Sequence, residues 1–132
     1  MDLSNLNYLA ILVAAIAGMI SGAAWYGALA KPWMKAVGYT EEPDPDPKIY
    51  IVAIIGQLVI AYMLAILFRH FPSVDLASGM LGAFFCWIGF CFAPMAVNHR
   101  FQAKGWDLTL IDGGYWLIVF VLQGAILGWW QA

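Results

Sequence analysis

The sequence predicts an all-α integral membrane protein, an antiparallel four-helix bundle in a single domain, on three observations. Of its 132 residues, 64% are hydrophobic and only 11% are charged, far from the composition of a soluble domain. The charges are also unevenly spread, with none in Leu3 to Ala30, Ile49 to Phe68, Leu76 to Asn98, or from Gly113 onward. A bilayer core about 30 Å thick needs roughly 20 helical residues at about 1.5 Å each, so every one of these stretches can cross it. The spans fall at about residues 5–29, 49–68, 76–97 and 108–130, with a polar loop at about 38–48.

The first span carries Ala10, Ala14, Gly18 and Gly22 at every fourth position, a stripe of small residues on one helix face that lets a second helix approach closely. Ala28-Leu29-Ala30 mimics a signal-peptidase site. Asp2 stands where a basic region would be needed and the apolar stretch is too long, so the span is expected to be retained. Lys31-Pro32-Trp33-Met34-Lys35 sets a helix-starting proline beside an aromatic and two lysines, which suits a short segment lying among lipid headgroups. In Glu41-Glu42-Pro43-Asp44-Pro45-Asp46-Pro47 the prolines forbid helix and the acids hold the chain in water.

The second span ends at Arg69-His70-Phe71-Pro72 and the third begins a few residues later, predicting a tight antiparallel hairpin. Gly82, Cys86, Gly89 and Ala93 form a small-residue stripe on the third span, and Pro94 should kink its last turn. Asp107 is placed to cap the fourth span, which carries Gly124 and Gly128 four apart and ends at the interfacial pair Trp129 and Trp130.

With four spans, the loops after the first and third share a side and hold Lys31, Lys35, Lys48, Arg100 and Lys104, against Arg69 alone on the other. The positive-inside rule puts these loops in the cytoplasm and both termini outside, which in a bacterial inner membrane means the periplasm. The net charge of −2 and the lack of a basic run argue against nucleic acid as a partner. Cys86 and Cys91, five apart on one helix, face different directions and read as apolar fillers rather than a disulfide.

Trp25-Tyr26, Trp33-Met34-Lys35 and Asp112-Gly113-Gly114-Tyr115 lie in an order that resembles the bacterial membrane proteins grouped as domain of unknown function 1761. The resemblance runs from Asn7-Tyr8-Leu9-Ala10 through Trp87-Ile88-Gly89-Phe90 to Gly124-Ala125-Ile126-Leu127-Gly128-Trp129, with departures in the Pro-Asp loop and at Asn98-His99-Arg100. It implies four spans and assigns no chemistry.

Asp112 is the leading candidate for function, because an ionisable group about one turn inside a span must face protein or water. Counting depth along the helices places Tyr26, Tyr115, Asn98, His99 and Arg100 near it, so that all six are expected to line one polar pocket. The structural reading ranks first, with Asp112 stabilising the positive end of its helix and pairing with Arg100 or Lys104, and a binding role for the same cluster second. Gln57 and Ser21 fall at matching depths and predict an interhelical hydrogen bond, while Gln123 lies deeper and suits an oligomer contact.

His70 and His99 fall on opposite sides of the membrane and cannot share a metal; either alone suits hydration better than haem or pigment ligation. Glu41, Glu42, Asp44 and Asp46 lack the glycine and spacing of an EF-hand and read as a solvated loop. Trp87, near mid-membrane, is expected either to pack on small residues of a neighbour or to form part of a hydrophobic ligand surface. No metal or cofactor is expected, only lipid.

No catalytic constellation is evident, and no Asp or Glu sits at mid-membrane to couple protons. The small-residue stripes exceed what one small bundle needs internally. They favour an accessory subunit of a membrane complex or a homo-oligomer, then a small-solute transporter or ligand-binding protein using Asp112, and last an enzyme.

Overall fold

A computed structural model describes residues 2–131, and every regular element in them is helical. Helix α1 (Tyr8–Ala28) is started by Asn7, whose Oδ1 accepts the Ala10 N–H at 3.0 Å. It ends one residue before α2 (Ala30–Val37), a short helix with lysines on one side and Trp33 and Met34 on the other. Gly38 ends α2 because its φ of 98° is a left-handed conformation that a side chain resists; its N–H and that of Tyr39 both reach the Met34 carbonyl. The proline-rich loop that follows is exposed throughout.

Helix α3 (Lys48–Phe68) leads through a short turn to Asp75, which closes a capping box with Ser78 and starts α4 (Leu76–Trp87). A π-turn (Ile88–Phe92) joins α4 to α5 (Ala93–Phe101), and the three make one apolar rod of 26 residues. The expected disturbance at Pro94 takes this form: the Ala93 N–H reaches back five residues to the Ile88 carbonyl, just before the proline that has no N–H to offer. Helix α6 (Trp106–Gln131) completes the fourth span; Asp107, expected as its cap, lies instead inside its first turn, two residues past the cap position held by Gly105. The four spans alternate in direction, as expected, and their outward faces carry residues such as Val52, 70% exposed, and Phe90, 83% exposed, as lipid requires.

The packing within this topology is less regular. Helix α6 is the hub, touching α1, α3 and α4, and the two consecutive spans expected to form a tight hairpin do not pack along their length. They meet near their turn, where Phe68 lies 3.5 Å from the Cβ position of Gly82, and α6 rather than α3 is the long neighbour of α4.

The face α4 turns inward holds Gly79, Ala83 and Trp87, about 100° from the expected Gly82, Cys86, Gly89 and Ala93 stripe. Two features turn this face inward in place of the expected one. Gly124 and Gly128 of α6 need a glycine opposite them and find Gly79, where a Cβ would stand 3.1 Å from the Gly128 Cα and closer still to the Gly124 carbonyl. The π-turn then rotates all that follows, leaving Gly89 exposed with nothing near it. The α1 stripe is used as expected, with Ala10, Ala14 and Gly18 buried. Together with Ala61, Leu64, Ala65, Phe68, Ala83 and Leu127, the alanines build a core at the end of the bundle that carries the termini.

An aromatic cavity with an uncompensated carboxylate

At the opposite end, the start of α6 is gripped from two sides. The Trp25 indole of α1 donates to the Ile111 carbonyl at 2.9 Å and the Trp87 indole of α4 donates to the Gly113 carbonyl at 3.0 Å. These carbonyls flank Asp112. Gly113 and Gly114 let the rings come this close, since a Cβ would stand 2.7 Å from a Phe92 ring carbon and 2.9 Å from one of Trp25. The rotation of α6 about its axis is thereby fixed, and with it the direction of Asp112.

Asp112 is half-buried and faces a cavity of about 770 Å³. The Tyr26 hydroxyl donates to its Oδ1 at 2.7 Å, and no described residue donates to its Oδ2. The walls are aromatic, formed by Tyr26, Trp33, Tyr39, Tyr50 and Trp116. Trp33 stands nearly perpendicular to both of its neighbours, at 78° to Tyr26 with centroids 5.9 Å apart and 72° to Tyr39 at 5.7 Å. Glu42, Pro43 and Pro45 of the polar loop close one side, so the loop that sequence treats as a solvated connection also forms a wall.

The expectation of one six-residue polar pocket is corrected, because α6 separates its members. Only Tyr26 and Asp112 line this cavity. Asn98 and His99 face a second, open groove of about 550 Å³, bounded by Ile60, Met95, Trp116 and Phe120, where α3 and the third span diverge. Arg100 lies 3.9 Å over the Trp106 ring, and its Nη2 donates to the Gly105 carbonyl and the Thr109 hydroxyl. His99 Nδ1 is 2.8 Å from the same hydroxyl. Lys104 donates to the Val37 carbonyl at 2.6 Å. Neither cation expected to neutralise Asp112 reaches it.

Tyr115 goes inward instead. Its ring packs on Tyr26 with centroids 5.2 Å apart, and its hydroxyl donates to the Gly18 carbonyl at 3.0 Å and accepts from Gln57 Nε2 at 2.7 Å. Gln57 does not pair with Ser21, whose hydroxyl returns to the Ala17 carbonyl of its own helix. Its partner is Gln123, fully buried and donating to Gln57 Oε1 at 2.8 Å and to the Ala14 carbonyl at 3.3 Å. An internal tie replaces the oligomer contact expected there, and Gln123 Oε1 is left buried without a partner. Gly18 and Gly22 make room for this belt: side chains there would collide with Gln57 and with the Tyr115 ring. Sequence reasoning missed the inward role of Gln123 and the Trp25 and Trp87 clamps. Each is a polar hydrogen in an apolar span that must find an acceptor, and that requirement is the signal that points to them.

Several of the residues that carry the resemblance, Trp25-Tyr26, Trp33 and Asp112-Gly113-Gly114-Tyr115, thus converge on one place. A family profile described as a protein of unknown function, DUF1761, matches residues 9–128. The chain belongs to that family. No curated relative and no solved structure matches it significantly. Among the described residues, no three His, Cys, Asp or Glu side chains group closely enough to hold a metal ion.

Proposed function

We propose that this small four-span membrane protein is a ligand-binding protein whose site is the aromatic cavity at Asp112, on the face that the distribution of lysines assigns to the cytoplasm. One observation carries the reading: a half-buried carboxylate at the edge of a span faces the cavity with a single tyrosine hydroxyl as partner, while Arg100 and Lys104 are engaged elsewhere. A carboxylate that only stabilised its helix end would be expected to take one of those cations. The cavity volume lies within the range of about 300–1,000 Å³ typical of small-molecule sites. Neither catalysis nor a cofactor is part of this reading.

The structure also weakens the reason for placing an accessory subunit first, since the stripes of α1 and α6 are used inside the bundle. The outward-facing glycines with open space around them, Gly27, Gly56 and Gly89, are what still favour a protein partner.

Native mass spectrometry of the full chain released from mild detergent tests the two readings. A reproducible small-molecule adduct, lost in Ala30→Trp because Ala30 lines the cavity, is expected. A folded chain that takes up no adduct from membrane extract overturns the ligand reading. A defined heteromeric mass in its place puts the accessory role first.

A further inference from the structure

The cavity's walls specify a ligand class. Its lining holds two carboxylates, Asp112 and Glu42, and neither a lysine nor an arginine. None of the basic residues at this end belongs to that lining: Lys31, Lys35 and Lys48 are exposed outside it, Lys104 is held by the Val37 carbonyl, and Arg100 lies over Trp106. An anionic ligand would meet two negative charges with no compensating cation, and a neutral apolar one would leave Asp112 without a counter-charge.

The aromatic rings add to this. The electron-rich faces of tryptophan and tyrosine attract cations, most strongly where water is thinned out, and an enclosure of several such rings is how proteins recognise alkylated ammonium groups. Three consecutive rings here, Tyr26, Trp33 and Tyr39, meet at near right angles, the arrangement that makes the corner of a box rather than a stack. A bare metal ion would need several oxygen donors close together, whereas Asp112 offers carboxylate oxygens beside rings and prolines. The volume leaves room for an apolar body attached to the charged group.

We infer that the cavity binds an organic ammonium cation carrying an apolar body, its positive charge held by Asp112 within the ring of Tyr26, Trp33, Tyr39, Tyr50 and Trp116. This rests on the ligand-binding reading above and gives it a substrate class. The ammonium arrives either on a free amphiphilic amine or on the headgroup of a lipid, since the cavity lies at the edge of the spans.

The test uses the full chain in lipid nanodiscs made of phosphatidylglycerol, which has no ammonium group. Tryptophan fluorescence is titrated with benzyltrimethylammonium, with its uncharged isostere neopentylbenzene, and with phenylmethanesulfonate, and the partitioning of each into empty nanodiscs is subtracted. Saturable binding of the ammonium compound at least about tenfold tighter than that of the neutral one, and none of the sulfonate, is expected. Asp112→Asn should weaken the ammonium compound about tenfold while leaving the neutral one within about twofold. Trp33→Leu, in a position outside the core, should weaken the ammonium compound while the helix content is unchanged.

Repeating the titration in phosphatidylcholine nanodiscs separates the two sources. Competition there supports the inference with the lipid headgroup as occupant, and undiminished binding supports it with a free amine. If neopentylbenzene binds as tightly as the ammonium compound and Asp112→Asn changes neither, the cavity is a ligand site without cation preference and this inference alone fails. If no probe saturates and Ala30→Trp has no effect on any of them, the ligand-binding reading falls with it.

Discussion

The two ends of this bundle are built from opposite materials. At the terminal end, glycines and alanines let backbones touch, with Gly79 of α4 against Gly124 and Gly128 of α6. A compact core of Ala10, Ala14, Ala61, Ala65 and Ala83 lies beside them. At the loop end, large aromatic side chains hold the helices apart around a cavity, and backbone contact is replaced by indole-to-carbonyl hydrogen bonds. Between the two lies the belt of Gln57, Tyr115 and Gln123. Lipid offers no hydrophobic drive for helices to associate, so close van der Waals contact and buried hydrogen bonds must do it. Small residues secure one end so firmly that the other tolerates an opening.

If that division is right, substitutions should divide in the same way. The largest effect on stability is expected for Gly124→Leu, whose side chain would enter the Gly79 backbone. About 3 kcal/mol or more, or failure to fold, is expected from chemical denaturation in detergent, against less than about 0.5 kcal/mol for Gly89→Leu, which faces open space. Equal losses at the two glycines would break the comparison. Gln57→Leu, which unties the belt, should cost about 1 kcal/mol, the scale of a hydrogen bond between membrane helices. Asp112→Asn belongs to the other class: its thermal stability should stay within about 0.5 kcal/mol of the parent while ligand binding falls. A large stability loss there would make Asp112 a packing residue and sink the contrast.

The smallest effect concerns Asp75, at the tight end but outside the spans. Hydrogen bonds from the Ser78 backbone N–H and from its hydroxyl hold the Asp75 carboxyl below its ordinary value. A lowered pKa means that stability from this cap is present above the ordinary carboxylate range and is lost as pH falls through the lowered value. The difference in melting temperature between the parent and Asp75→Ala should therefore be constant above about pH 5 and shrink only in stronger acid. A difference that varies through neutral pH would show that another group controls it.

Much of the molecule is legible in its amino-acid sequence. The four spans, the short helix at Lys31-Pro32-Trp33, the exposed proline loop and the small face of α1 follow from composition, period and proline chemistry, and observed helix ends lie within about four residues of the expected ones. Asp112 is equally legible as a residue that must turn away from lipid, because a charge in hydrocarbon is costly whatever surrounds it.

What the sequence could not settle is rotation. Membrane spans are apolar all round, so hydrophobic periodicity does not say which face turns inward, and a single π-turn shifts every later residue by about 100°. That is why Gly79 packs where Gly82 and Gly89 are expected to, why Gln57 finds Gln123 and Tyr115 instead of Ser21, and why only Tyr26 and Asp112 of the six polar candidates share the cavity. By itself the sequence determined the number, length and order of the spans, since the cost of exposing polar backbone in lipid acts on each segment separately. Only the tertiary structure decided their neighbours and rotations, because these depend on glycine-to-backbone fit and on donors meeting acceptors across helices more than 50 residues apart in the chain.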